Sequence, residues 1–401
     1  MRLIAAALLL AACAPKAEAP EACCTATITA VVPEGSPTVY LTGDLPELGP
    51  WKADALAMAG EGRERVAQVT APQGAVFQYK FTLGDWQREA LGPSGMVMAN
   101  FRLEMNRNAE ARHEIPDFRK DTMAYVKDWR GSGVKGELVY WTDFDSAVLG
   151  PARHVSIWLP PGYDQDPERR YKVLYMSDGQ NLFDPRIANT GVDWGVDEAV
   201  TALVEEGAIE PVVVVGVWSS AMRGSEYSPW HGANDYARFL IEELMPRVNA
   251  EFRTLTGPDN TAHMGSSMGG LLSFHLVRTR PDVFGACGCV STHFPLSEAM
   301  VAQYFPQGEK VESPDPTPYI LKDIASGLLM PAGVRLWFDY GAKGLDAEYA
   351  PTHAAVREAL IAQGSVEGED FVMRAYPGAD HNETSWRARL KDPLRFLYGR
   401  G

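Results

Sequence analysis

The sequence predicts an α/β domain built on a mainly parallel sheet, preceded by a small all-β sandwich. Three observations carry this. From about residue 137, continuous apolar runs of strand length alternate with segments of helical spacing. Residues 27–115 hold only short alternating runs between turn residues. The charged stretch between them, residues 116–136, ends near Gly-Ser-Gly and reads as a linker. At 401 residues, 46% of them hydrophobic, the chain is long enough for two cores.

The chain opens MRLIAAALLLAACAPKAEAPEACC. Arg2 supplies a positive start, and residues 3–12 form an apolar run too short to span a bilayer. Leu10-Ala11-Ala12-Cys13 resembles a bacterial lipobox, in which Cys13 is lipidated and becomes the mature N-terminus. The competing reading is an ordinary cleaved signal with a chance cysteine. On the first reading, residues 1–12 are a signal peptide and 13–26 a polar tether. Ala14, where an Asp would retain the protein, then sorts it to the outer membrane of a bacterial envelope, held by its lipid alone.

The β domain shows TATITAVVP, TVYLTG, ERVAQVTAP and VFQYKFTLG, punctuated by Gly, Pro and Asp. In the α/β domain, HVSIWLPPGY alternates and stops at Pro-Pro, and KVLYMSDG is a buried run ending at Asp-Gly. VDEAVTALVEEG is helical with a Gly stop, and PVVVVGVW has the composition of a strand buried on both faces. ARFLIEELMPRVNAEF is amphipathic apart from its Pro. TAHMG is a short strand leading into the helix MGGLLSFHLVRTRP. VRLWFDYG, THAAVREALIAQG, DFVMRAYPG and a helix from ETSW complete the alternation.

Gly265-Ser266-Ser267-Met268-Gly269 fits G-x-S-x-G between a strand and a helix. A nucleophile at such a turn needs neighbours without bulk, and Gly265 and Gly269 let strand and helix approach. Ser267 is the candidate nucleophile, and the backbone N–H of Met268 a candidate oxyanion donor beside the helix N-terminus. In this arrangement an acid and then a histidine follow the serine. His381, in the loop after the last strand, is the candidate base; His353 sits in a helix with apolar spacing. Asp346, in the loop beyond VRLWFDYG, is the candidate acid, with Glu348 and Asp339 as fallbacks. Ser267 cannot ionise alone near neutral pH, so His381 takes its proton and Asp346 stabilises the imidazolium. Asp178-Gly179 make a tight turn that can aim the N–H of Gln180 at the same point; a plain β-turn is the alternative.

These residues match a known family. VLYMSDGQNLFD, GSSMGG, FDYGAKGLDAEYAP and GADHNETSWRARL together resemble the putative-esterase family of α/β-hydrolases, over roughly residues 137–401. That family includes esterase D, feruloyl esterase domains, enterochelin-type siderophore esterases and mycolyltransferases. The resemblance implies an α/β-hydrolase domain and a serine esterase with Ser267, His381 and Asp346 as triad and Met268 and Gln180 as oxyanion donors. The substrate it implies is a sugar-linked, aryl or siderophore ester. An acyltransferase on the same triad is the alternative, as is a non-catalytic glycan-binding surface lipoprotein. TVYLTGDLPELGPW, FQYKF and GDWQRE resemble a family 20 starch-binding module, which would place Trp51, Trp86 and Lys80 against a glycan; packing tryptophans are the other reading. The Asn-Arg expected after the second tryptophan is absent.

After PVVVVGVW, the residues Trp218, Arg223, Glu226 and Tyr227 follow a strand end, where ligands bind in open α/β sheets. Arg223 either grips substrate or pairs with Glu226. Trp386 either lines the pocket or packs the last helix. The net charge of −15 repels nucleic acid and anionic lipid and suits a neutral small-molecule substrate. Five cysteines imply no disulfide framework. Cys23 and Cys24 fall in the tether, and Cys287 and Cys289 point to one strand face as buried thiols. Cys-x-Cys without a second pair is no zinc motif, and neither metal nor cofactor is called for.

Overall fold

The computed structural model describes residues 24–93, 97, 98, 100–119, 122–304 and 313–399. The leader, Cys13 and Cys23 lie outside the described residues. Cys24 is buried, disulfide-bonded and the first residue of a strand, Cys24–Val31. The strand thus takes Cys24, Thr25 and Ala26 from the expected tether. The chain divides into two compact units, 1–120 and 121–401.

In the first unit, Cys24–Val31 pairs antiparallel with Glu64–Ala71 and parallel with Ala109–Glu114. A second sheet orders Leu56–Ala57, Tyr40–Gly43, Val76–Thr82 and Phe101–Glu104. Every second residue of Cys24–Thr29 is buried, as period-two alternation dictates. Ile28 and Val69 of one sheet share a core with Phe77, Tyr79 and Phe81 of the other. This is the small all-β sandwich that the alternation predicts.

The stretch expected as a linker is structured. Asp117–Phe118 is a strand of the first unit. The helix Thr122–Lys127 and a 3-10 turn, Trp129–Ser132, belong to the second. Lys127, Asp128 and Arg130 are exposed, while Val126 packs on Ile187 and Trp218.

The second unit is an eight-stranded sheet: β1 Glu137–Ser146, β2 Gly150–Leu159, β3 Lys172–Ser177, β4 Val212–Val217, β5 Thr261–Ser266, β6 Ala286–Val290, β7 Arg335–Gly341 and β8 Phe371–Tyr376. Their order is β1-β2-β4-β3-β5-β6-β7-β8. β1 and β2 form an antiparallel pair, β2 runs antiparallel to β4, and every later pairing is parallel. Val173 and Tyr175 enter the core on one face of the sheet, and Leu174 and Met176 the core on the other. Strands covered on both faces carry no polar alternation, which is why β4 reads VVVVGV with every residue buried. The covering helices include α1 Val196–Glu205, α2 Met268–Thr279, α3 Ala350–Ala362, α4 Glu383–Arg389 and α5 Lys391–Tyr398.

The amphipathic run around Pro246 is not one regular helix. Ala233–Arg238 and Met245–Glu251 are α-helical, joined by a π-helical stretch, Phe239–Leu244. Pro246 lacks an N–H and its ring crowds the carbonyl four residues back. The wider π turn absorbs that defect without ending the helix. The topology's main consequence is elsewhere: β3 to β8 present their C-terminal ends along one edge of the sheet, and the loops carrying the candidate residues leave from that edge.

Candidate active site

Ser267 stands between β5 and α2 with φ 57° and ψ −120°. A non-glycine residue there costs on the order of 1–3 kcal/mol, so surrounding structure must hold it. Its N–H donates to the Val290 carbonyl at 2.9 Å, and its carbonyl accepts from Gly270, Leu271 and His293. A Cβ on Gly265 would lie 2.8 Å from the Gly269 carbonyl carbon, so strand and helix touch through their glycines. Met268 is the first residue of α2, where backbone N–H groups have no intrahelical partner. Ser266 is buried in β5.

Beyond β3, Asp178 takes a left-handed conformation, φ 55° and ψ 46°, and opens a 3-10 turn, Gly179–Asn181. The Gln180 amide donates through Nε2 to Ser219 Oγ at 2.8 Å and accepts the Ser219 N–H at 3.1 Å. Its side chain is therefore a strap from this loop to the segment after β4.

Asp346 lies in the 3-10 turn Gly344–Glu348 after β7 and is buried. His381 Nδ1 donates to Asp346 Oδ1 at 2.6 Å. Oδ2 accepts from Ser291 Oγ and from the Gly341 N–H, both at 2.6 Å. Burial pushes this carboxyl up, but the donors from His381, Ser291 and Gly341 outweigh it and hold Asp346 below the usual carboxylate range. Of the fallback acids, Asp339 is buried and committed to Arg389 and to Trp337 Nε1, and Glu348 is exposed. His381 precedes Asn382, whose side chain caps α4 by accepting the Ser385 N–H. The imidazole stands edge-on to Trp386 at 5.1 Å and to Tyr349 at 5.6 Å. Trp386 also donates to Ser291 Oγ and packs on Trp194, so it braces the site and packs its helix at once.

The structure joins His381 to Asp346 and sets Ser267 on the same sheet edge, but draws no hydrogen bond between Ser267 and His381. The Ser267 hydroxyl instead neighbours the Tyr349 phenol. Tyr349 Oη lies 2.6 Å from His293 Nδ1. Tyr349, His293 and Ser291 escaped the sequence reading. Their only signal was position: Ser291 and His293 follow a buried strand in the CVSTHF run, at the end where ligands bind. His263, His275 and His353 are core residues, bonded to Ser273, to Asn234 and to the Tyr349 carbonyl.

Three of the four residues expected to bind substrate are spent inside the fold. Trp218 packs with Val126 and Ile187 and donates to Ser156 Oγ. Tyr227 is fully buried and its hydroxyl accepts the Asp178 N–H. Glu226 is buried in a two-armed pair with Arg153. Arg223 does not pair with Glu226 either. It grips both Asp178 carboxylate oxygens, at 2.7 and 2.8 Å, and fixes the turn that carries Gln180. A polar run after a strand end looks alike whether it faces a ligand or ties loops together. In the first unit, the Trp51 and Trp86 rings lie 6.4 Å apart and Trp86 is 38% exposed. Lys80 is bonded to the buried Glu89. Asp193, Asp197 and Glu198 are near enough to share an ion, but Arg387 already donates to Asp193 and Glu198.

Residues 146–397 match the family model described as putative esterase. The chain belongs to that family. Its second unit has the α/β-hydrolase fold. The endo-1,4-beta-xylanase/feruloyl esterase of Xylanibacter ruminicola is 27% identical over 205 residues, which are 46% of this chain and 25% of that protein. The chain thus matches about a quarter of that relative. A ferulic acid esterase structure aligns with a TM-score of 0.50 at 19% identity, over 66% of this chain and 98% of its own. The enterobactin esterase of Shigella flexneri aligns with a TM-score of 0.51 at 17% identity, over 92% of both chains. At these identities the two structures share the fold.

Proposed function

We propose that the protein is a serine esterase that hydrolyses a carboxylic ester through Ser267, His381 and Asp346. The observation that carries this is the His381–Asp346 hydrogen bond at the sheet edge that also bears a serine held at a strained strand-to-helix turn. On binding an ester, the Ser267 hydroxyl turns to His381 Nε2 and gives up its proton as Oγ attacks the carbonyl carbon. The carbonyl π pair moves to oxygen, and the N–H groups of Met268 and Gln180 receive that charge. Collapse breaks the bond to the alcohol, which leaves with the proton from His381. Water repeats the sequence on the acyl-enzyme and releases the acid. Asp346, held ionised, keeps Nδ1 protonated and stabilises the imidazolium.

The sequence relative named endo-1,4-beta-xylanase/feruloyl esterase supports an ester with an aromatic group. Ser267→Ala should lower the p-nitrophenyl acetate rate by at least about a thousandfold and abolish labelling by a fluorophosphonate. Unchanged turnover by this variant would sink the assignment. The Trp51–Trp86 pair, with one exposed face, supports a glycan contact by the first unit. Loss of retardation in starch-containing native gels on Trp86→Ala is the expected outcome; equal retardation contradicts it. Anchoring at Cys13 rests on the lipobox residues alone. Palmitate incorporation by the full chain but not by Cys13→Ser tests it, and equal incorporation refutes it.

A further inference from the structure

Tyr349 touches every member of the proposed triad. Its backbone N–H donates to the Asp346 carbonyl at 3.1 Å. Its ring meets the His381 imidazole edge-on. Its hydroxyl neighbours that of Ser267 and lies 2.6 Å from His293 Nδ1. His293 in turn donates its backbone N–H to the Ser267 carbonyl at 3.2 Å, so the two partners are fixed to the turn from both sides. Tyr349 is fully buried and His293 nearly so. Buried polar groups that meet a nucleophile in this way restrict where its hydroxyl can point.

Both groups are uncharged at neutral pH. Burial pushes the Tyr349 phenol far above its ordinary range, so it keeps its proton and cannot act as a base. Burial, and then the nearby His381 and Arg223, push the His293 imidazole down to about 4. A second imidazolium beside His381 would oppose the proton that His381 must accept. A neutral phenol–imidazole pair offers hydrogen bonds without that penalty.

We propose that Tyr349, backed by His293, is a positioning residue that sets the Ser267 hydroxyl between the elbow and His381 and shares the charge that grows on Oγ during acyl transfer. This rests on the serine esterase reading above. Tyr349 keeps its proton throughout; the Ser267 proton goes to His381, and Oγ forms the bond to the acyl carbon.

The test is steady-state hydrolysis of p-nitrophenyl acetate by the full chain, with thermal melts to check folding. One lost hydrogen bond to a charged oxygen corresponds to about tenfold. Tyr349→Phe should lower kcat by about tenfold and leave KM within about twofold. His293→Leu should do the same, and His293→Asn, which keeps a polar nitrogen or oxygen near the Nδ1 position, should recover most of the loss. The double variant Tyr349→Phe/His293→Leu should be no slower than Tyr349→Phe alone, because the two act as one unit. A kcat near wild type for folded Tyr349→Phe overturns the proposal. If that variant does not fold, equal rates for His293→Asn and His293→Leu overturn it. Ser267→Ala run alongside separates the two readings. An inactive Ser267→Ala with a fully active Tyr349→Phe refutes only the positioning role. An active Ser267→Ala refutes both.

Discussion

Ser291 is the residue whose worth is least visible and most testable. It has φ 40°, is wholly buried, and receives Trp386 Nε1 and Arg389 Nη2 while its own hydroxyl donates to Asp346. A strained, non-glycine residue persists only where its surroundings over-determine it, and here four polar partners do so once Asp339, which accepts its N–H, is included. Ser291→Ala removes one donor from the Asp346 carboxylate. The carboxylate becomes more basic and takes up a proton at a higher pH. Activity should therefore be lost at a higher pH on the acid side than in wild type, and kcat at pH 8 should fall by up to about tenfold. A pH–rate profile whose acid limb stays in place, or moves lower, contradicts this account. Ser267, Asp346 and His381 could be picked out as candidates in the sequence because each lies in a loop or turn that follows a strand. Ser291 and Tyr349 could not, since what they do depends on partners up to 98 residues away, as the Ser291–Arg389 bond shows.

At the level of elements, the parallel strands were legible because burial on both faces leaves an unbroken apolar run. β4 and β5 are the clear cases. β1 was missed for the complementary reason: it is a half-exposed, bulged strand whose pairing with β2 shifts register at Trp141–Phe144 and Phe144–Ser146. The stretch expected as a linker carries its charge on a short strand, a helix end and a 3-10 turn, which in composition resemble a loop. The turn after β3, proposed to carry an oxyanion donor, shows what short spacing can hide. A Cβ on Gly179 would stand 2.4 Å from the carbonyl carbon and oxygen of Gly216 in β4, so backbone must part to admit it. Gly179→Ala should cost about 1–3 kcal/mol in stability by overpacking and shift Gln180 off its strap to Ser219. We expect a melting temperature lower by several degrees, with kcat falling at least about tenfold because the proposed oxyanion donor moves with the loop. A variant that melts lower yet keeps full kcat would show that Gln180 takes no part.

For the whole molecule, a net charge of −15 makes the pH dependence of stability turn on which acids are held protonated. Asp197, at the start of α1, is buried with one carboxylate oxygen lacking a hydrogen-bond partner. Burial, and then its contact with Glu198, push it up to about 8, against the Lys135 N–H that favours the anion. The sign follows from linkage. A carboxyl whose folded pKa lies above its ordinary value binds a proton in the folded state that the unfolded chain has released. Stability therefore declines as pH rises from about 4 towards about 8, and this contribution is level above that. Asn at position 197 can accept the Lys135 N–H and donate to Glu198 at every pH, so it carries no such decline. Asp197→Asn and wild type should melt together near pH 3, below the ordinary carboxyl range, and the variant should melt higher at pH 6 and higher still at pH 8. α1 packs through Val196, Val200 and Leu203 into the core that holds β3, β4 and α5. The gain should thus appear in the melting of the whole second unit, without a separate early transition. A gap that stays constant with pH would mean that packing at position 197, and not its proton, sets the difference; a gap that narrows as pH rises would reverse the sign.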